Sequence, residues 1–106
     1  MSIFDILKTP DINEGLRAFH SENDAVLLDV RTTEEYNEGH IPESVNIPLS
    51  DIHSISSVIS NHNVPLFVYC HSGARSRQAA GKLKKMGYTQ IKNIGGITGY
   101  RGKVEK

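Results

Sequence analysis

Two short apolar runs dominate the hydrophobic pattern, Ala25-Val26-Leu27-Leu28-Asp29-Val30 and Pro65-Leu66-Phe67-Val68-Tyr69-Cys70. Each is too short for a helix and rich in β-formers, so both read as strands. Neither alternates apolar with polar residues, which predicts strands covered on both faces, as in a parallel sheet. Weaker strand signals fall at Ser44-Val45-Asn46-Ile47 and Gln90-Ile91-Lys92-Asn93-Ile94. Helical signals lie between them. Ile12, Leu16 and Phe19 share a helical face behind Asp11, with Glu14 placed for a capping box. A clearer box, Thr32-Thr33-Glu34-Glu35, predicts a helix over roughly 33 to 38, capped by Thr32 and stopped near Gly39. Ala79, Leu83 and Met86 follow helical spacing up to Gly87, and the Ser-rich stretch from Asp51 to Ser60 predicts a further short helix.

Strand and helix therefore alternate. The rule for that pattern is an α/β fold, with a central parallel sheet of about five short strands, right-handed crossovers and helices on both faces. No repeat, low-complexity tract or linker divides the chain, so one domain over residues 1–106 is expected. Ligands of such folds bind beyond the carboxyl ends of the strands. Cys70 stands at that end.

Composition narrows the chemistry. No stretch approaches the roughly 20 apolar residues needed to span a bilayer. Met1-Ser2-Ile3-Phe4-Asp5 lacks the basic start and apolar core of a signal peptide, so a soluble cytoplasmic protein with no membrane role is expected. A single cysteine can form no internal disulfide, and no Cys/His cluster has metal-ligand spacing. No metal or cofactor is implied. The net charge of zero divides into −8 for residues 1–51 and +8 for residues 52–106, with no acidic residue between Asp51 and Glu105. That half should favour anions, unless folding interleaves the halves and cancels the field. Nucleic-acid binding has no recognised motif in its favour.

The second strong strand runs into Cys70-His71-Ser72-Gly73-Ala74-Arg75-Ser76-Arg77, after which the helical pattern begins. Backbone N–H groups at a helix N-terminus lack intrahelical partners and favour negative charge. A cysteine there should ionise below its usual value of about 8.5, helped by Arg75 and Arg77. Arg75 has no acidic partner in the nearby sequence. Gly73 would let the loop curl so that several N–H groups converge on one point. His71 either tunes the site or stands exposed without a role. Asp29 and Arg31 read as a buried polar network, His40 as a turn histidine held for structure, and His20, His53 and His62 as solvated.

The segments Leu27-Leu28-Asp29-Val30-Arg31, Glu35-Tyr36, Gly39-His40-Ile41-Pro42-Glu43-Ser44-Val45-Asn46-Ile47-Pro48, Val68-Tyr69-Cys70 with a loop ending at Arg75-Ser76, and Ile94-Gly95-Gly96-Ile97 follow one another. In that order they resemble a rhodanese domain, the single-domain sulfurtransferase family, over nearly the whole chain. The resemblance implies Cys70 as a nucleophile that accepts sulfane sulfur as a persulfide. It also implies a six-residue loop in which the backbone amides of His71, Ser72, Gly73, Ala74 and Arg75 hold the terminal sulfur. Two departures stand out: Tyr100 where tryptophan is common, and Glu43-Ser44 where Gly-Ala is more usual.

Cysteine-dependent phosphatases share the strand, loop and helix, but they space cysteine and arginine one residue further apart than Cys70 and Arg75. Arsenate reduction is a further rival, as is an interaction module that keeps the fold without the chemistry. The reaction expected from the sequence is a two-step transfer. A small anionic donor such as thiosulfate, oriented by Arg75, would load Cys70; cyanide, a thiol or a sulfur-relay protein would accept.

Overall fold

Four strands, β1 (Val26–Asp29), β2 (Ser44–Asn46), β3 (Leu66–Cys70) and β4 (Ile91–Gly96), build one parallel sheet in the order β2-β1-β3-β4. The computed structural model describes residues 10–106, so the reading of Met1 to Asp5 lies outside the described residues. The parallel sheet flanked by helices is as expected, with four strands among the described residues rather than about five. The helices are α1 (Ile12–Ser21), α2 (Thr33–Glu38), α3 (Ile55–Val58) and α4 (Ala74–Lys85), with single 3-10 segments at Leu49–Ser54 and Ile97–Gly99. Among the described residues no helix is long and apolar enough to cross a membrane.

The unbroken apolar character of β3 follows from its place in the sheet. Leu66, Val68 and Cys70 face Ala79 and Leu83 of α4, together with Leu28, Ile52 and Ile55. Phe67 and Tyr69 face the other way, against Ile12, Leu16 and Phe19 of α1. All five β3 residues are buried, and each large side chain removed from water contributes about 1.5–3 kcal/mol. The strand is thereby fixed in register, and its last residue, Cys70, is fixed with it.

The helix starts obey capping rules. Thr32 closes a full capping box on α2, accepting from the Glu35 amide at 3.2 Å while Glu35 Oε1 accepts from the Thr32 amide at 3.0 Å. Asp11 caps α1 differently from the expected box with Glu14. Its carboxylate accepts the backbone and side-chain N–H groups of Asn13, at 3.0 and 3.2 Å, and Asn13 continues to the Gly99 carbonyl. The helix expected from Asp51 to Ser60 is a 3-10 turn running into α3 and ending at Val58. Asp51 leaves helical geometry there (φ −119°, ψ 17°), which kinks the 3-10 segment.

At the carboxyl end of β1, Asp29 is wholly buried and accepts from the Arg31 guanidinium and amide, each at 2.8 Å, while Arg31 also reaches the Gly39 carbonyl at 2.7 Å. A buried charge persists because it is paired in this way. His40 is structural as expected: it stacks on Tyr36 and bonds the Tyr36 carbonyl at 2.9 Å. His20, His53 and His62 are exposed.

β4 ends beside the loop that follows β3, and Gly96 makes that approach feasible. A Cβ on Gly96 would run into the His71 carbonyl oxygen and the Ser72 Cα. Gly96→Ala is expected to lower stability by about 2 kcal/mol or more, because backbone has to move to admit the methyl. Gly81→Ala, on the exposed side of α4 with nothing within 4 Å of its Cβ, should instead raise it by about 0.5–1 kcal/mol. Urea unfolding of both variants checks the pair. Shifts of equal sign would contradict the packing argument.

Candidate active site

Cys70 is the last residue of β3 and only 1 % exposed. Gly73, three residues on, takes a left-handed conformation (φ +105°) that L-side chains disfavour, and it caps α4. The chain doubles back there, so that the Gly73 N–H donates to Cys70 Sγ at 3.0 Å. Ser76 Oγ lies 3.5 Å from the same sulfur. The far side of the loop is held by the Thr98 N–H donating to the His71 carbonyl at 3.2 Å.

Burial pushes the Cys70 thiol up. The Ser76 hydroxyl and the amides of Ser76, Gly73 and Ser72 outweigh it, holding the thiol below its ordinary range. These are hydrogen bonds to the charged form, at the N-terminus of a twelve-residue helix. Of the two arginines expected to help, Arg75 does interact electrostatically with Cys70. Arg77 is exposed, and Arg75 is held by Glu35 of α2 through two bonds, Nη1 to Oε1 at 2.7 Å and Nη2 to Oε2 at 2.9 Å. Arg75 therefore does have an acidic partner. Glu35 is 40 positions away in sequence, but the loops after β1 and β3 emerge side by side because those strands pair. Glu35 is also the capping-box residue of α2, so one carboxylate fastens two helix starts together.

The structure thus sets Gly73 against the Cys70 sulfur, with Ser76 as a further neighbour of it beyond the residues expected in the loop. Its position was legible in principle. A residue in the first turn of a helix points back toward the N-terminus, and a hydroxyl there falls near whatever the turn cradles. His71, Ser72 and Ala74 form an exposed rim. A pocket of about 210 Å³ adjoins the loop at Arg75, lined otherwise by Val30, Thr32, Pro48, Leu49 and Ser50.

A twisted parallel sheet with a cysteine cradled between a central strand and a helix defines a class, and the comparisons agree on it. Residues 13–103 match the family model of the rhodanese-like domain, and the chain belongs to that family. Escherichia coli PspE, named a thiosulfate sulfurtransferase, is 38 % identical over 71 residues, 66 % of this chain and 68 % of that protein. Bacillus subtilis YrkF is 38 % identical over 86 residues, 80 % of this chain but 46 % of that protein, so the chain spans under half of that relative. Among solved structures, an Escherichia coli rhodanese with anions superposes with a TM-score of 0.72 at 34 % identity, covering 77 % of this chain and 98 % of that one. A human single-domain sulfurtransferase gives 0.70 at 28 % identity, covering 82 % and 89 %. At the level of the family, the chain is sulfurtransferase-like.

The two departures from the usual pattern have structural readings. Tyr100 is partly buried against the α1 side of the core and donates to the Lys103 carbonyl at 2.9 Å. Glu43 takes φ +74°, which accounts for the glycine more usual there, and its carboxylate meets His20 at 2.9 Å.

The Arg75 guanidinium draws Glu35 down to about 2, from an ordinary 4.5. A depressed carboxylate contributes its full stability above 4.5 and loses it as the pH falls through about 2. Both side chains are about a third exposed, so solvent screens the pair. Glu35→Gln is therefore expected to cost on the order of 1 kcal/mol at neutral pH. Parent and variant unfolding curves should converge as the pH is lowered from 4.5 to 2. A constant gap across that window would refute the ion pair as the source.

Proposed function

We propose that Cys70 carries sulfane sulfur as a persulfide, moving it from thiosulfate or a persulfide donor to cyanide or a thiol. The observation that supports this most directly is the Gly73 N–H on Cys70 Sγ at 3.0 Å, in a turn whose other amides also stabilise the thiolate. A thiolate is the attacking species, and donors fixed in place before reaction stabilise sulfur charge without reorganising.

In the first step Cys70 Sγ attacks the outer sulfur of thiosulfate. The new S–S bond forms as the old one breaks, and its electron pair leaves on sulfite. The Cys70 persulfide anion lies within the loop of His71, Ser72, Gly73, Ala74 and Arg75, with amide N–H groups as its counterparts. In the second step the acceptor attacks the outer sulfur, and the pair of the broken bond returns to Cys70 as thiolate. A protein thiol as acceptor would make the chain a component of a sulfur relay.

Arg75 enters this scheme through its bond to Glu35, which fixes the start of α4 and with it the amides.

The intact mass of reduced protein after incubation with thiosulfate tests the proposal, with Cys70→Ser as control. We expect the parent to gain one sulfur atom and lose it again on addition of cyanide, and the control to gain none. Folded parent that stays unmodified by thiosulfate and by an organic persulfide would rule the mechanism out.

A further inference from the structure

Ser76 is wholly buried, and its hydroxyl has more neighbours than it has protons. Oγ lies 3.5 Å from Cys70 Sγ, 3.0 Å from the Gly73 carbonyl and 2.7 Å from Asn93 Oδ1. One O–H serves one acceptor well at a time. The Asn93 carboxamide is oriented independently of Ser76. The Gly95 N–H can only donate, and it meets Oδ1 at 3.0 Å, which leaves Nδ2 toward the Gly73 carbonyl at 3.4 Å.

The neutral arrangement follows. The Cys70 S–H donates to Ser76 Oγ, and the Ser76 O–H donates to Asn93 Oδ1, the nearer of its two oxygen acceptors. A sulfur anion has no proton to give. For Ser76 to serve it, the O–H must turn from Asn93 toward Sγ, while Oγ itself stays where it is.

Asn93 owes its place to an irregularity in the sheet. Val68 of β3 pairs with Asn93, but the next residue, Tyr69, pairs with Gly95, so Ile94 is an extra residue in β4. Bulges of this kind re-aim the side chains beside them. Here the bulge sets the Gly95 amide onto the Asn93 side chain, and that side chain faces the α4 start.

We infer that Asn93 is a positioning residue of the site: its carboxamide holds the Ser76 hydroxyl against Cys70 and competes with the sulfur anion for the hydroxyl proton. It bonds to Ser76 and to the loop backbone, and it acts on sulfur through Ser76. The charged groups around the loop are engaged with each other, Arg75 with Glu35 and Asp29 with Arg31. The inference rests on Cys70 as the reacting group, yet it can be tested without any sulfur donor, so the two readings fail separately.

The test is the ultraviolet titration of the thiolate, with Cys70→Ser as the blank, in the parent, Ser76→Ala, Asn93→Asp and the double variant. A carboxylate at position 93 keeps an acceptor for Gly95 and grips the Ser76 proton more firmly. Asn93→Asp should raise the thiol midpoint by about one unit when Ser76 is present, and by less than half as much in Ser76→Ala, where the added charge acts alone. Equal shifts in both backgrounds would overturn the inference. Should Asn93→Asp fail to fold, Asn93→Ala is read in the same two backgrounds. A shift confined to protein that keeps Ser76 supports the inference, and a shift of equal size in both, or in neither, overturns it.

Discussion

An anionic sulfur at the end of a strand buried along its whole length needs hydrogen-bond donors, and water cannot supply them. In this chain they come from the turn between β3 and α4, where the Gly73 amide and the Ser76 hydroxyl lie against Cys70 Sγ and the amides of Ser72 and Ser76 also favour its charged form. The convergence depends on Gly73 accepting a left-handed backbone one residue before the helix. It depends equally on β3 being immobile, which the two apolar layers on its faces provide. Burial that would otherwise oppose ionisation thus secures the geometry that permits it.

The neighbouring elements hold that turn from three directions. Glu35 ties the first turn of α4 to the first turn of α2 through Arg75. Gly96 and the Thr98 amide let the end of β4 lie against the His71 carbonyl. Asn93, set by the bulge in β4, braces Ser76 from below. The Asp29–Arg31 pair does for the turn after β1 what these contacts do for the turn after β3. A site on a short loop is in this way given the precision of the central strands.

Much of this was legible from residue order because its causes are local. Strand character at β1 and β3 follows from unbroken apolar runs, the α2 box from Thr32 and Glu35 three apart, and the cradle from a cysteine and a glycine between strand and helix. What escaped depends on contacts between segments distant in sequence. Arg75 reads as unpaired because Glu35 lies on another helix, and only the pairing of β1 with β3 brings them together. Ser76 and Asn93 carry ordinary polar side chains, and nothing in their neighbours reveals that a bulge aims one at the other. At Asp11 the box pattern was present, but the carboxylate is taken by the backbone and side-chain N–H groups of Asn13, whose side chain is in turn held by Gly99, far away in sequence.

Cys70 is all but sealed in the fold, with 1 % of its surface open. An added sulfur lengthens that side chain by one S–S bond, about 2 Å. On the proposed mechanism, loading would therefore change which atom of the protein a visiting molecule meets first. The bare thiol is screened from bulky reagents, and on the proposed mechanism its donor would have to approach end-on, with the sulfur to be transferred leading. On that mechanism, occlusion of the permanent sulfur would select by shape the reagents that reach it, with no moving part.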